Sequence, residues 1–166
     1  AVDVGVGIDV GQATLGGDVD GVDPGTAFGL DLTVLITNGL GVEVSALHSV
    51  HTDDADGDLT LTGYSGGVRW NFFSIRVRPY VAGGIAGAGL TYKDDILGVD
   101  ETVTGQGFYV AAGVEGRLTE GFCVGLRYKH EQLTFTDLLG SSLDGTRSTV
   151  AIVLGSGLGM FVEKLA

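Results

Sequence analysis

Val2, Val4, Val6, Ile8 and Val10 alternate with Asp3, Gly5, Gly7, Asp9 and Gly11, and this period of two recurs along almost the whole chain. Successive side chains of a strand point to opposite faces. The pattern therefore predicts strands with one aliphatic face and one face of glycine and polar residues. Phe28, Leu30, Leu32, Val34 and Ile36 repeat it. Asn38-Gly39 follows, a pair whose tolerance of positive φ suits a two-residue hairpin turn. Beyond it Leu40, Val42, Val44 and Ala46 run opposite Gly41, Glu43 and Ser45.

Further strands are expected near 59–72, 77–93, 104–118, 122–134 and 147–160. The sixth sets Phe108, Val110, Ala112, Val114 and Leu118 against Tyr109, Ala111, Gly113, Glu115 and Arg117. The seventh sets Phe122, Val124, Leu126 and Tyr128 against Cys123, Gly125, Arg127 and Lys129. The fifth, Tyr80 to Tyr92, is so rich in Ala and Gly that its faces stay unassigned. A helical period is found nowhere.

Most of these eight segments span about 10–16 residues, against ~5–6 for a soluble strand and ~9–11 for a tilted strand crossing a bilayer. Short connections fall at Asn38-Gly39, Phe73–Arg76 and Thr119-Glu120-Gly121; longer ones fall at 16–25, 52–58, 94–103 and 135–146. Short turns at one end and longer loops at the other are the habit of outer-membrane barrels. The expected fold is all-β: one eight-stranded antiparallel up-and-down transmembrane β-barrel over 1–166. Both termini then share the short-turn, periplasmic end.

Thirty glycines with two prolines exclude a collagen repeat, and no apolar run is long enough for a transmembrane helix. The start, Ala1-Val2-Asp3, carries no leader pattern, which fits a mature exported protein. The single Cys123 forms no internal disulfide, and its phase points it inward near the short-turn end. A net charge of −12 without a basic stripe argues against nucleic acid as a partner.

Two further features follow the same plan. Trp70, Phe72, Phe73, Tyr80, Phe122 and Phe161 fall near the short-turn end, whereas Phe28, Tyr64, Tyr92, Phe108, Tyr109, Tyr128 and Phe135 fall nearer the long loops. Two aromatic girdles around an aliphatic band suit the two interfaces of a bilayer. Of these, Trp70, Phe72, Tyr80, Tyr92, Phe108, Phe122 and Tyr128 are the expected membrane-interface aromatics. The long loops collect acids, and most other charges lie on the face opposite the aliphatic one. Among those, Glu43, Arg69, Glu115, Arg117, Arg127, Lys129 and Glu131 are expected to form an ion network inside the barrel, since unpaired charges in a narrow lumen would be costly.

The segment Arg78-Pro79-Tyr80-Val81-Ala82-Gly83-Gly84-Ile85-Ala86-Gly87 resembles the basic-Pro-Tyr and Gly-rich strand of small outer-membrane barrels, the OmpA-type transmembrane domain and OmpX-like group. The resemblance covers nearly the whole chain and implies an integral outer-membrane protein. One departure is that Phe161 is followed by Val162-Glu163-Lys164-Leu165-Ala166, where such barrels usually end on an aromatic residue. A peptidoglycan-binding domain does not follow, so wall anchoring is not implied.

Candidate chemistry is sparse. Asp54, Asp56 and Asp58 alternate about Gly57, an arrangement that can cage Ca²⁺, although the full EF-hand spacing is absent and solvated surface acids are the simpler reading. More broadly, the acidic loops could gather Ca²⁺ or Mg²⁺; no other cofactor is expected. His48, Ser49 and His51 with Glu43 invite comparison with barrel lipid-A deacylases, but adjacent His48 and Ser49 must point to opposite faces. The expected function is a non-enzymatic outer-membrane barrel with extracellular acidic loops, serving envelope structure, surface contact or docking in a larger assembly. Its partners would be outer-membrane lipid, lipopolysaccharide and another envelope protein. The alternatives are a narrow pore, a lipid-modifying enzyme, or a soluble ligand-binding barrel with its faces inverted.

Overall fold

A computed structural model describes residues 3–17, 23–37, 39–52, 58–72, 76–94, 99–119, 121–136 and 142–157. These form eight strands: β1 (Asp3–Gly17), β2 (Gly25–Thr37), β3 (Leu40–Thr52), β4 (Asp58–Asn71), β5 (Val77–Asp94), β6 (Val99–Thr119), β7 (Phe122–Thr136) and β8 (Ser142–Gly157). Each pairs antiparallel with the next, and β1 closes on β8, so the sheet is a closed barrel in chain order. Closure leaves no edge strand with unpaired backbone groups, which is the condition for β structure in hydrocarbon.

The alternation decides which face is which. Val6, Ile8 and Val10 on β1, Leu30 and Leu32 on β2, and Val150 and Ile152 on β8 lie exposed on the outside. Asp9, Asp31, Glu43, Arg69, Arg127, Lys129, Glu131 and Arg147 lie buried inside. A water-soluble barrel would have the reverse arrangement. On β2 the outward apolar run is Phe28 to Ile36, on β4 Tyr64 to Phe72, and on β6 Phe108 to Leu118. At ~3.3 Å per residue and a tilt of ~40°, nine to eleven residues give a band about 23–28 Å tall, matching the ~25 Å apolar belt of an outer-membrane barrel.

The strands outrun the sequence expectation at the loop end. β6 starts at Val99 rather than 104, and β8 starts at Ser142 rather than 147. The connections there reduce to 18–24, 53–57, 95–98 and 137–141, against 38–39, 72–76 and 120–121 at the turn end. The expected contrast in loop length is therefore smaller than the spacing suggested. The cause is physical: above the aromatic level the outward face turns from aliphatic to hydroxyl-bearing, so the apolar alternation that marks a strand disappears. Outward positions there include Thr14, Thr26, Thr62, Thr91, Thr102, Thr104, Thr134 and Thr146. At the turn end, Gly39 (φ +85°) follows Asn38 in the β2–β3 hairpin, where a left-handed conformation suits glycine.

The interior has three levels. Toward the loop end Leu15, Leu59, Leu61, Leu90, Leu133 and Phe135 pack into one apolar layer over Tyr109. The middle holds the charged side chains. A cavity of about 50 Å³ lies toward the turn end, lined by Gly7, Asp31, Thr33, Asn71, Arg78, Glu115 and Cys123 among others.

Candidate functional site

The charged middle is built across the barrel, from strands far apart in sequence. Glu43 on β3 accepts hydrogen bonds at Oε1 from Arg127 Nη2 (2.6 Å) and Tyr109 Oη (3.0 Å). Arg69 on β4 reaches Glu115 on β6 (Nη2–Oε1, 2.6 Å) and stands 3.9 Å from Glu43 Oε2. It also donates from Nε to Asn71 Oδ1 (2.9 Å), and its guanidinium lies over the Tyr80 ring, 3.6 Å from the centroid. Lys129 donates to Ser65 (2.5 Å) and Ser45 (3.0 Å), with Glu131 3.7 Å away. Arg147 on β8 has no exposed surface. Its Nε donates to Glu131 Oε2 (2.5 Å) and its Nη1 to Leu61 O (3.1 Å) and Ser49 Oγ (3.2 Å).

Ten charges take part: Asp9, Asp31, Glu43, Glu115 and Glu131 against Arg69, Arg78, Arg127, Lys129 and Arg147. Among the described residues these are five acids and five bases, so their formal charges balance and the net charge of −12 belongs to the rest of the chain. Isolated charges in such a space would be prohibitive; paired and hydrogen-bonded ones are tolerated. Inward glycines make the room. A Cβ at Gly113 would sit 2.6 Å from Tyr80, one at Gly105 2.6 Å from Phe135, and one at Gly63 2.7 Å from Arg147.

Of the residues expected in this network, the structure brings together Glu43, Arg69, Glu115, Arg127, Lys129 and Glu131. Arg117 does not join them. It is exposed at the turn-end rim, where a register shift between Arg117 and Thr119 carries the strand past the last charged layer, and among the described residues it makes no ion pair. Asp9, Asp31 and Arg78 extend the set, and Arg147 is its most deeply buried member. Arg147 was legible in principle, since it shares the phase of Ala151 and Gly155, but it sits where the strand was expected to begin.

Trp70, Phe72, Phe108, Phe122 and Tyr128 are exposed on the outer surface, with Trp70 and Phe72 stacked at 5.6 Å. Tyr80 is a correction: it is buried inside the barrel, because the inward phase of β5 runs through Tyr80, Ala86, Ala88 and Leu90. Tyr109 and Phe135 also face inward, one beside outward Phe108 and the other in phase with Lys129 and Glu131. The side chain of Tyr92, like Phe73 and Phe161, lies outside the described residues.

Asp54 and Asp56 also lie outside the described residues, while Asp58 is exposed at the start of β4. His48 faces outward and shares a 2.7 Å hydrogen bond with Thr62, whereas Ser49 and Glu43 are buried inside. The candidate hydrolytic residues are thus split by the barrel wall. His51 is buried, with Nδ1 3.1 Å from the Asp23 carbonyl. Cys123 faces the turn-end cavity, its Sγ 4.0 Å from Arg78 Nη2.

A model of the outer membrane protein beta-barrel domain matches residues 1–155. The chain belongs to this family of bacterial outer-membrane barrels. No curated protein sequence matches it. Among solved structures it is similar to Neisserial surface protein A, at 15% identity and a TM-score of 0.71, covering 93% of this chain and 96% of that one. It is also similar to Ail, the attachment invasion locus protein of Yersinia pestis, solved with the heparin analogue sucrose octasulfate (17%, TM-score 0.64, 94% and 98%). The outer membrane enzyme PagL is a third such structure (18%, TM-score 0.54, 91% and 97%). At these identities the likeness shows the fold alone, and it spans proteins of different activity.

Proposed function

We propose that this outer-membrane barrel is a non-enzymatic, non-conducting envelope protein whose loop end faces outward and serves surface contact or docking in a larger assembly. The strand termini at the turn end would then be periplasmic. The supporting observation is the filled lumen: charge-paired side chains span the middle and an apolar layer lies above them toward the loop end. A conducting pore needs a continuous wet path, and among the described residues the charged middle and the apolar layer stand between the turn-end cavity and the loop end.

The test is conductance of the purified barrel in planar bilayers. The reading expects silent membranes at voltages up to about 100 mV in 1 M salt. Reproducible conductance steps would replace it with the narrow-pore reading.

A further inference from the structure

Among the described residues the strands run on past the membrane band at the loop end. From Tyr128, β7 runs on to Thr136; from Phe108, β6 runs back to Val99; from Tyr64, β4 runs back to Asp58. On these strands six to nine residues at ~3.3 Å and a ~40° tilt lift the loop end about 15–23 Å above the upper aromatics. At the turn end Phe72 and Phe122 border the connections directly. The raised wall carries hydroxyls on six strands, Thr14 and Thr26 on β1 and β2, Thr62 on β4, Thr104 on β6, Thr134 on β7 and Thr146 on β8, with the exposed acids Asp58 and Asp144 beside them and the exposed Val50 on β3.

We infer that this collar is a contact surface for the neutral sugars of a glycolipid leaflet, held by hydroxyl hydrogen bonds rather than by ion pairs with lipid phosphates. Three observations support that occupant. The collar is continuous with the membrane-facing band, so whatever stands above the acyl chains of the surrounding lipids touches it. Apart from Lys93, the outward phase of the described wall carries no lysine or arginine, and phosphate recognition relies on those cations. Lys93, at this height, is registered between Asp58 and Asp100 on the neighbouring strands. Finally, Thr14, Thr26 and Thr104 are exposed, and none has a side-chain partner within the described protein, so their hydroxyls face the surroundings. Phospholipid headgroups reach about 5–8 Å above the acyl chains, short of the wall's height, which a saccharide-bearing lipid matches.

This inference rests on the proposed orientation, with the loop end in the glycolipid leaflet. It is tested with the full chain in vesicles of phospholipid alone, of phospholipid with lipid A, and of phospholipid with lipopolysaccharide carrying its core sugars. Each is melted with EDTA present, at low salt and at about 0.5 M salt, and read by the gel mobility of folded barrel. The expected result is a higher Tm with the sugar-bearing lipid than with lipid A, unchanged by salt. The variant Thr14→Val/Thr26→Val/Thr104→Val should lose about 3–6 °C of that increment while melting normally in phospholipid. Equal effects of lipid A and lipopolysaccharide would overturn the inference, as would an increment abolished by salt or one kept by the variant. Orientation is scored separately, by labelling Asp56→Cys in a Cys123→Ser background on intact cells with a membrane-impermeant maleimide. Absence of labelling until the outer membrane is breached refutes the orientation, whatever the vesicles show.

Discussion

Removing Arg147 should destabilise the barrel far more than removing both members of its ion pair. Arg147 has no exposed surface, and Glu131, its partner at 2.5 Å, is 1% exposed. Arg147→Met keeps much of the side-chain volume but strands the Glu131 carboxylate in the lumen. It also deprives the Leu61 carbonyl and Ser49 hydroxyl of a donor. Loss of one partner of a buried pair costs about 3–5 kcal/mol. Lys129, 3.7 Å from the other Glu131 oxygen, still compensates part of that charge, which puts the expectation near the lower value, about 3 kcal/mol. The double variant Arg147→Met/Glu131→Gln removes the orphan charge and should recover at least half the loss. Equilibrium unfolding in urea with the barrel in phospholipid vesicles, followed by tryptophan emission, measures all three proteins. A single variant within 1 kcal/mol of wild type would refute the claim that the pair is desolvated. A double variant no better than the single would refute the claim that stranded charge is the cause.

Tyr80 offers a second check on which side chains fill the lumen. Because its ring is buried against Arg69, Tyr80→Ala should cost about 3–5 kcal/mol, whereas Tyr80→Phe should cost under about 1 kcal/mol; a lipid-facing ring would lose much less on truncation to alanine. The acidic loops, with Asp54, Asp56 and Asp58, are expected to gather divalent cations, so millimolar Ca²⁺ or Mg²⁺ should raise the melting temperature of the reconstituted barrel. A flat response would remove that role, and loss of the response in Asp54→Asn/Asp56→Asn would locate it.

Much of the fold was legible because lipid and lumen impose opposite demands on alternate residues. Wherever the outward residue is Val, Leu, Ile or Phe, as from Val4 to Val10 or Phe28 to Ile36, one strand determines its own faces. That logic fails in two places. On β5 the small residues on both faces hide the phase, which is why Tyr80 was expected at the interface although Arg69 needs it inside. Above the membrane the outward face carries Thr and Gln, so the apolar alternation reaches neither the true start of β8 nor the place of Arg147 in the network. The ion network itself was partly legible, since charges out of phase with the aliphatic face can only point inward. The particular partners were not, because Glu43 and Arg127 meet across the lumen from strands that are not neighbours. Arg117 shares their phase but not their depth, and alternation carries no information about depth.

The outward placement of the aliphatic face is tested most directly by Trp70, the only tryptophan of the chain and exposed on the outer surface at the turn end of the band. Reconstituted into vesicles whose acyl chains are brominated at defined depths, the protein should show blue-shifted emission quenched by the lipid bromines. Quenching should be strongest for bromines nearest the headgroups. Red-shifted emission untouched by brominated lipid but quenched by aqueous iodide would contradict the membrane-facing assignment.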